Sequence, residues 1–255
     1  MIEELATQAF WIGLLKIIGV NVVLSGDNAV VIALAARSLP PKQQKMAILW
    51  GAGAAVVLRI VLTVFAVALL ALPWLKIIGG LLLFWIAVKL LMPEDGDSDI
   101  ESSDNLVQAI KTILIADLVM SLDNVIGVAA AAKGSTLLLV LGLVISIPLV
   151  IFGATVLMKL MERYPIIITI GAALIGYVAG EMPVTDPAVV TWFEANAHWL
   201  IDFEVFAVGP IKLELSAAGL LGAAFVVVLG KWLAARAAQA EVTVVDLAAD
   251  EQRTK

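Results

Sequence analysis

The sequence contains no cysteine and only one histidine among its 255 residues. The first absence excludes disulfide bonds and thiolate metal ligands. The histidine, His198, lies in a polar stretch where a solvated or interfacial role is expected, so no imidazole is available within the apolar segments. Charged residues make up only 15% of the chain, whereas soluble domains contain about 25%. Such a chain cannot cover a water-facing surface with polar side chains.

The sequence consists largely of long apolar runs, which are longer than those of soluble proteins. Hydrophobic residues make up 62% of the chain, and the mean hydropathy is +1.05. Several runs approach or exceed the roughly 20 residues that a helix needs to cross a bilayer, and they are too continuous for the alternating strands of a transmembrane barrel. The sequence therefore predicts an all-α polytopic transmembrane helical bundle. About seven spans are predicted, at approximately 12–36, 46–72, 74–92, 106–132, 136–160, 166–181 and 214–233.

The breaks between these spans divide the chain into two three-helix repeats and a final helix. The segments, in order, are repeat one at about 8–92, an acidic linker at 93–105, repeat two at about 106–181, a polar excursion at 182–212, the last span at 213–233 and a polar C-terminal tail at 234–255. All but the tail form one transmembrane domain, 1–233. Within the excursion, residues 188–203 predict an amphipathic helix at the membrane surface, and the tail is expected to fray.

The charges predict an orientation in the membrane. Basic residues follow spans one, five and seven, at Arg37, Lys42, Lys45, Lys159, Arg163, Lys231 and Arg236. With seven spans these ends share one side, which the positive-inside rule makes cytoplasmic. The N-terminus is then outside, the C-terminus and the acidic linker are cytoplasmic, and the excursion is outside. The acidic start of the chain is unlike a cleaved signal peptide, and the net charge of −6 argues against a nucleic-acid partner.

A polar motif occurs twice, 96 residues apart when Asp27 is aligned with Asp123. The segment VNVVLSGDNAVVIALAAR at 20–37 then aligns with ADLVMSLDNVIGVAAAAK at 116–133. The alignment also pairs Asn21 with Asp117, Ser25 with Ser121, and Asn28 with Asn124. Because each copy opens a unit of three spans, the second unit inserts upside down relative to the first, which is inverted-repeat topology. The two copies are expected to meet near the middle of the membrane.

Carboxylates inside a membrane are expensive, and here there are three. Each of Asp27, Asp117 and Asp123 costs about 2.5–3.5 kcal/mol even on the lenient insertion scale. One explanation is that they are remnants of a gene duplication and merely hold helices together. That role is normally filled by small and uncharged polar residues. The cost therefore favours a functional site, with the amides of Asn28 and Asn124 beside the acids.

The donor atoms of this site are all oxygens, from carboxylates, amides and hydroxyls. Such a set suits hard cations, namely Mn²⁺, Ca²⁺ or Mg²⁺, rather than Zn²⁺ or Cu⁺. In a regular helix, Asp27 and Asp123 lie about 120° away from the stripes that hold the Ser and Asn side chains. Either each Asp reaches a different neighbouring helix, or the helix is unwound around Ser-x-Asp-Asn. We favour local unwinding, which Gly26 eases in the first copy.

Arg59, in the middle of span two, is the expected companion of the acids. Three carboxylates exceed the charge of one divalent cation by one, which invites a proton or a fixed cation. A buried arginine must itself contact a carboxylate or line water. Two roles remain open for Arg59: a static counterion, or a charge that competes with the metal between conformations. Asn21, Ser25 and Ser121 are expected to support the site.

These residues resemble those of a known family. The two motif copies, the context of Arg59, GGLLLFWIAVKLL at 79–91 and SIPLVIFGA at 146–154 are similar to the TerC family of integral membrane proteins, and to its YjbE-type branch of metal transporters. The resemblance covers about residues 8–181 and extends to the last span. It implies Mn²⁺ efflux across the bacterial inner membrane, with the metal held at Asp27, Asn28, Asp117, Asp123 and Asn124. Asn21 departs from the full acidic motif, because it stands where the second copy has Asp117, so the two halves of the site are expected to be asymmetric.

The function that these residues and the resemblance imply is alternating-access transport, not enzymatic catalysis. The residues alone do not rank Mn²⁺ above Ca²⁺, so antiport of Ca²⁺ or another cation against H⁺ stays open. Intramembrane aspartyl proteolysis also uses two membrane carboxylates, but its signatures are Tyr-Asp and Gly-x-Gly-Asp, whereas Asp27 and Asp123 follow Ser-Gly and Ser-Leu. A third alternative is a membrane partner that senses the metal without transporting it. No bound cofactor is expected; the expected partners are a divalent metal ion as substrate and the lipid bilayer, and a homo-oligomer is left open.

Overall fold

The computed structural model describes residues 8–24, 26–65, 72–92, 102–132, 135–208 and 211–253. Within these ranges the chain forms helices throughout the bundle and one short hairpin outside it. The elements are α1 (Gln8–Leu24), α2 (Gly26–Ala36), α3 (Pro41–Val64), α4 (Leu75–Leu91), α5 (Ser102–Ala132), α6 (Thr136–Arg163), α7 (Ile166–Val184), α8 (Val190–Asn196), α9 (His198–Ile201), β1 (Phe203–Val208), β2 (Ile211–Leu215) and α10 (Ala217–Arg253). The predicted all-α polytopic bundle is confirmed.

Five of the described helices are long and apolar enough to cross a membrane, namely α3, α5, α6, α7 and α10. They correspond to the predicted spans two, four, five, six and seven. Helix α4 has 17 residues and occupies the predicted third span, and a helix of this length is about 25 Å long. Two shorter apolar helices, α1 and α2, occupy the predicted first span. The count of seven spans stays a prediction.

The outside of the bundle is covered by large apolar side chains. Leu15, Phe152 and Val228 are each 69% exposed. On α10, exposed Leu221, Phe225, Val228 and Trp232 recur every three or four residues and so lie on one face. A patch of this extent is not tolerated on a soluble monomer, whereas lipid tails cover it at no cost.

The helices pack in a pattern that follows the division into two repeats. Span one, made of α1 and α2, packs against α6, just as α5 packs against α3. Helix α2 also contacts α7, just as α5 contacts α4. The remaining cross-repeat pairs join equivalent helices: span one with α5, α3 with α6, and α4 with α7. Exchanging the two predicted repeats returns this set of contacts, while the repeats themselves and the inverted insertion of the second stay predictions.

Glycines allow α7 and α10 to approach each other at backbone distance. A Cβ added at Gly180 would overlap the carbonyl oxygen of Ala218, and one added at Gly222 would overlap that of Gly176. A Cβ at Gly176 would lie 2.9 Å from the Gly222 oxygen. Small residues four apart give this kind of close helix crossing in membranes. The last helix is therefore attached firmly to the second repeat.

Gly180→Ala is expected to lower the free energy of unfolding by about 2 kcal/mol, because the added methyl meets backbone atoms that cannot move aside. Unfolding of the detergent-solubilised protein, followed by circular dichroism, measures the loss. The matched control is Gly53→Ala, since a Cβ at Gly53 meets nothing within 4 Å. In that helix interior alanine is expected to be neutral or stabilising by about 0.5–1 kcal/mol. Equal effects of the two substitutions would contradict the proposed role of the close crossing.

The structure differs from the prediction in two places outside the bundle. The helix predicted over 188–203 is found as two shorter helices, α8 and α9, which are separated at Ala197 and followed by the antiparallel hairpin of β1 and β2. The strand FEVFAV is rich in the aromatic and β-branched residues that favour sheets, and IKLEL alternates apolar and charged residues with the period of a strand. The tail at 234–255 was predicted to fray. In the structure α10 instead continues through it to Arg253.

A buried carboxylate connects the excursion to the start of α4. The sequence predicts Asp186 only as one of the acids outside the membrane, yet its side chain is fully buried. It accepts hydrogen bonds from the backbone N–H groups of Trp74 at 2.9 Å, Lys76 at 3.0 Å, Ile77 at 3.3 Å and Ala188 at 2.8 Å. Three of these donors belong to the beginning of α4, where N–H groups lack partners within the helix. The Asp-Pro dipeptide at this position is a turn signal that could have indicated the role.

The hydrogen bonds of Asp186 also determine how its contribution depends on pH. Burial alone would raise the pKa of this carboxyl, but the four N–H donors outweigh burial and hold the pKa below its ordinary value. The native state therefore favours the ionised form. The resulting stabilisation is present above the ordinary carboxyl pKa and is lost as the pH falls through the lowered native pKa.

Asp186→Ala is expected to cost about 3 kcal/mol of unfolding free energy near neutral pH, because it leaves several backbone N–H groups of α4 without an acceptor. The cost should shrink when the pH falls below the native pKa of Asp186. Denaturation of the wild type and the variant over a pH series measures both effects. Glu194→Ala, which removes an exposed acid of the same excursion, is the control and is expected to change stability little. A cost that does not change with pH would show that the charge of Asp186 is unimportant.

Candidate functional site

The predicted site residues lie on helices that meet inside the bundle. Arg59 is on α3, while Asp117 and Ser121 are four residues apart on α5 and therefore on one face of that helix. Helix α3 packs along α5, which brings Arg59 opposite both. All three are buried, with exposed fractions of 3% for Arg59, 5% for Asp117 and 0% for Ser121.

Arg59, Asp117 and Ser121 form a closed hydrogen-bonded triad. The Arg59 guanidinium forms a salt bridge with Oδ1 of Asp117. Its Nε donates to Ser121 Oγ at 3.0 Å, and Ser121 Oγ donates to Asp117 Oδ2 at 3.1 Å. The expectation that Arg59 contacts one of the membrane acids is confirmed. Because both carboxylate oxygens accept a hydrogen bond, Asp117 cannot turn toward another ligand without breaking this triad.

Asp27 comes to the same place from the first repeat. It lies in the first turn of α2, is half-buried, and accepts a hydrogen bond at Oδ1 from the backbone N–H of Asn28 at 2.8 Å. The positive end of the helix dipole at this turn stabilises a carboxylate. Asp27 also interacts electrostatically with Arg59 and with Asp117. One acid from each repeat is thus within range of the same guanidinium.

Asn28 has a buried amide with open hydrogen-bonding capacity. The residue is only 3% exposed, and neither its Oδ1 nor its Nδ2 has a hydrogen-bond partner within the described part of the chain. Leaving a buried polar group unsatisfied costs about 1–3 kcal/mol. Such groups are rare in native proteins and call for an explanation, such as a bound ion. Asn28 follows Asp27 directly in the chain, so both residues belong to the first turn of α2.

The remaining predicted residues are placed only in part. Asp123 and Asn124 lie on α5 and Asn21 on α1; Asn124 is buried. The side chains of Asn21 and Asp123 fall outside the description, as does Ser25 altogether. The expectation of unwinding is wrong for the second copy, because α5 is helical without interruption from Ser102 to Ala132. In the first copy, the predicted unwinding at Ser25 lies outside the described residues.

The described side chains supply two carboxylates, one open amide and one arginine. They contain no group of three or more His, Cys, Asp or Glu residues that could hold a metal ion. With Asp117 engaged by Arg59, a third oxygen donor group beyond Asp27 and Asn28 would have to come from another position. The repeat predicts Asp123 and Asn124 for this purpose. A coordination sphere shared by Asp27 and Asp123 stays a prediction.

Comparison with known proteins gives consistent matches to membrane proteins. A family model described as "Integral membrane protein TerC family" matches residues 6–238. The uncharacterized membrane protein YjbE of Bacillus subtilis (strain 168) is 46% identical over 177 residues, which cover 69% of this chain and 81% of YjbE. YceF of the same organism is 24% identical over 190 residues, covering 71% and 74%. The inner membrane protein YgdQ of Escherichia coli (strain K12) is 27% identical over 175 residues, covering 61% and 73%. No solved structure matches the chain.

Proposed function

Because the chain belongs to the TerC family of integral membrane proteins, we propose that this multi-pass membrane protein is a transporter of divalent metal cations. Its substrate is Mn²⁺, which it exports from the cytoplasm by alternating access of the two repeats around the site on α2, α3 and α5. The N-terminus lies outside and the C-terminus in the cytoplasm of a bacterium. The observation that carries this proposal is the buried amide of Asn28, which follows Asp27 in the chain and has no hydrogen-bond partner among the described residues.

The open amide of Asn28 supports an ion site because its oxygen is buried and available to a ligand. An amide that only packs helices together would bond to a neighbouring helix, as Arg59 does with Asp117. Asn28 instead has a buried oxygen that accepts from no donor in the described ranges, one residue after Asp27 at the start of α2. Carboxylate and amide oxygens together are the donors that hard divalent cations prefer. A substrate ion that binds and leaves would satisfy this oxygen during part of the transport cycle.

The charges of the cluster favour a divalent cation over other cargoes. Asp27, Asp117 and Asp123 carry three negative charges when ionised, and Arg59 carries one positive charge. The sum is −2, which one divalent cation neutralises. The acids would repel an anion, and the absence of cysteine leaves no thiolate ligand for Cu⁺.

The same geometry favours transport over intramembrane proteolysis. A proteolytic pair of aspartates works by sharing one proton, because two close carboxylates cannot both ionise. Asp117 is instead salt-bridged to Arg59, so its carboxylate is paired with a fixed cation and is not available to share a proton with a second acid.

The test is cation flux into proteoliposomes that contain the purified protein and a metal-sensitive dye. We expect uptake of Mn²⁺ well above that of empty liposomes, with Zn²⁺ transported poorly. Parallel assays with Ca²⁺ and Mg²⁺, each with and without a pH gradient, separate a Mn²⁺ carrier from a Ca²⁺/H⁺ antiporter. No flux of any divalent cation would refute the proposal and leave the metal-sensing partner as the better explanation.

A further inference from the structure

We propose that Arg59 determines the charge selectivity of the transport site, by holding Asp117 out of the metal's coordination sphere and by setting the net charge that the substrate meets. The inference rests on the proposed function, since it concerns the same site. It assigns Asp117 to Arg59 in the structure described here, and leaves the acid of the first repeat, Asp27, for the metal.

Both carboxylate oxygens of Asp117 already accept hydrogen bonds from within the protein. Its two oxygens accept from the Arg59 guanidinium and from Ser121 Oγ. Ser121 in turn accepts from Arg59 Nε at 3.0 Å, so all three side chains fix one another. A metal ion that bound Asp117 would displace either the guanidinium from Oδ1 or the Ser121 hydroxyl from Oδ2, and in both cases it would meet the repulsion of the Arg59 charge. Asp27 has no comparable obstacle, because its recorded hydrogen bond comes from the neutral backbone N–H of Asn28.

The anchoring of Arg59 is rigid because α3 and α5 lie close together. A Cβ at Gly51, two turns before Arg59, would stand 2.8 Å from Ile113 Cδ1 on α5. Ile113 lies one turn before Asp117 and is fully buried. The two helices are therefore in tight contact next to the triad, and Arg59 is only 3% exposed. A cation held this firmly acts as a fixed part of the site's charge.

The fixed charge has a direct consequence for the valence of the substrate. The acids of the two motifs sum to −3, and Arg59 reduces the total to −2. Without the arginine, the site would present three carboxylates to a cation, which favours a trivalent ion. The affinity of oxygen sites depends on the number of charged ligands, so a change of one charge shifts binding strongly. Arg59 is thus a positioning residue for Asp117 and a selectivity residue for the substrate.

The test compares Mn²⁺ with La³⁺, a trivalent oxygen-seeking ion, by isothermal titration calorimetry on the full chain in detergent. Arg59→Gln changes the site charge to −3, Asp117→Asn to −1, and the double variant R59Q/D117N restores −2. We expect Arg59→Gln to shift the preference toward La³⁺ by about tenfold or more. The double variant is expected to regain the wild-type preference and to bind Mn²⁺ about tenfold more tightly than Asp117→Asn alone.

The double variant separates selectivity from a structural role. It lacks the salt bridge, so if Arg59 only held the bundle together, R59Q/D117N would behave like a damaged protein and would not regain the wild-type preference. The comparison of R59Q/D117N with Asp117→Asn decides the question even if Arg59→Gln alone fails to fold. Wild-type binding of Mn²⁺ with no difference between these two variants would overturn the inference and leave the proposed function standing. No Mn²⁺ binding by the wild type would overturn both.

Discussion

Asp27→Asn is expected to lower Mn²⁺ flux in proteoliposomes by about 100-fold or more, while the protein still folds and inserts. The substitution keeps the size of the side chain and an oxygen that can accept the hydrogen bond from Asn28 N–H. It removes the one carboxylate among the described site residues that is not salt-bridged in the structure. A neutral amide attracts a divalent cation much less than a carboxylate does, so binding and transport should fail together. Initial rates of dye response over a range of Mn²⁺ concentrations measure the effect.

Two further variants make the Asp27 result specific. Asp123→Asn changes the equivalent position of the second repeat and should reduce flux to a similar degree if both acids hold the metal. Asp202→Asn makes the same chemical change at an acid 42% exposed in the excursion, and should leave flux unchanged. Wild-type flux in purified Asp27→Asn would remove this residue from the mechanism. A loss in Asp27→Asn alone would instead mean that the two repeats do not contribute equally.

The fold class could be predicted, and so could the contact of Arg59 with a carboxylate, because each follows from a single strong energetic rule. Apolar runs of 20 residues are stable only across lipid or in a deep core, and a buried arginine needs a carboxylate or water. The choice of carboxylate could not be predicted in the same way. Asp27, Asp117 and Asp123 were equally plausible partners for Arg59, and the contact with Asp117 depends on the packing of α3 against α5, which no local pattern reveals.

The unwinding predicted for the second motif was wrong for a related reason. It assumed that Asp123 and the Ser-Asn stripe must point at one ligand. In the structure, Asp117 and Ser121 on α5 face Arg59 instead, at a spacing of four residues that a regular helix provides. No interruption of α5 is needed for that purpose. Local patterns therefore located the residues of the site, but the direction in which each points depends on which helices are neighbours.

The role of Asp186 and the length of α10 lay beyond sequence reasoning for different reasons. Asp186 contacts backbone groups of Trp74 that are 112 positions away in the chain, so no local pattern reveals the pair. The tail was judged by its polarity, whereas its alanine-rich composition, as in the stretch at 234–240, favours helix. In a helix that already crosses the bilayer, nucleation is complete, so each further residue is added cheaply.

Breaking the pair of Arg59 and Asp117 is expected to have the largest effect on stability. Removing one partner of a buried ion pair leaves the other charge uncompensated and costs about 3–5 kcal/mol. Both Arg59→Gln and Asp117→Asn should therefore lower the unfolding free energy by about this amount. In R59Q/D117N neither charge remains unpaired, so its loss should be smaller than the sum of the single losses by about 2–3 kcal/mol. Reversible unfolding of the four proteins in mixed micelles measures the cycle.

The coupling free energy between Arg59→Gln and Asp117→Asn, measured by this cycle, decides between two descriptions of the triad. A strong coupling means that Arg59 and Asp117 form one charge-compensated unit, which can persist through the transport cycle as a fixed counter-charge. Additive losses would mean that Arg59 is stabilised by other groups, of which Asp27 is the nearest described candidate because it interacts electrostatically with the guanidinium. Ser121→Ala provides a graded comparison, since it removes a neutral hydroxyl that bonds both partners and should cost only about 1 kcal/mol. A loss with Ser121→Ala as large as with Arg59→Gln would show that hydrogen-bond geometry, and not charge, stabilises this part of the bundle.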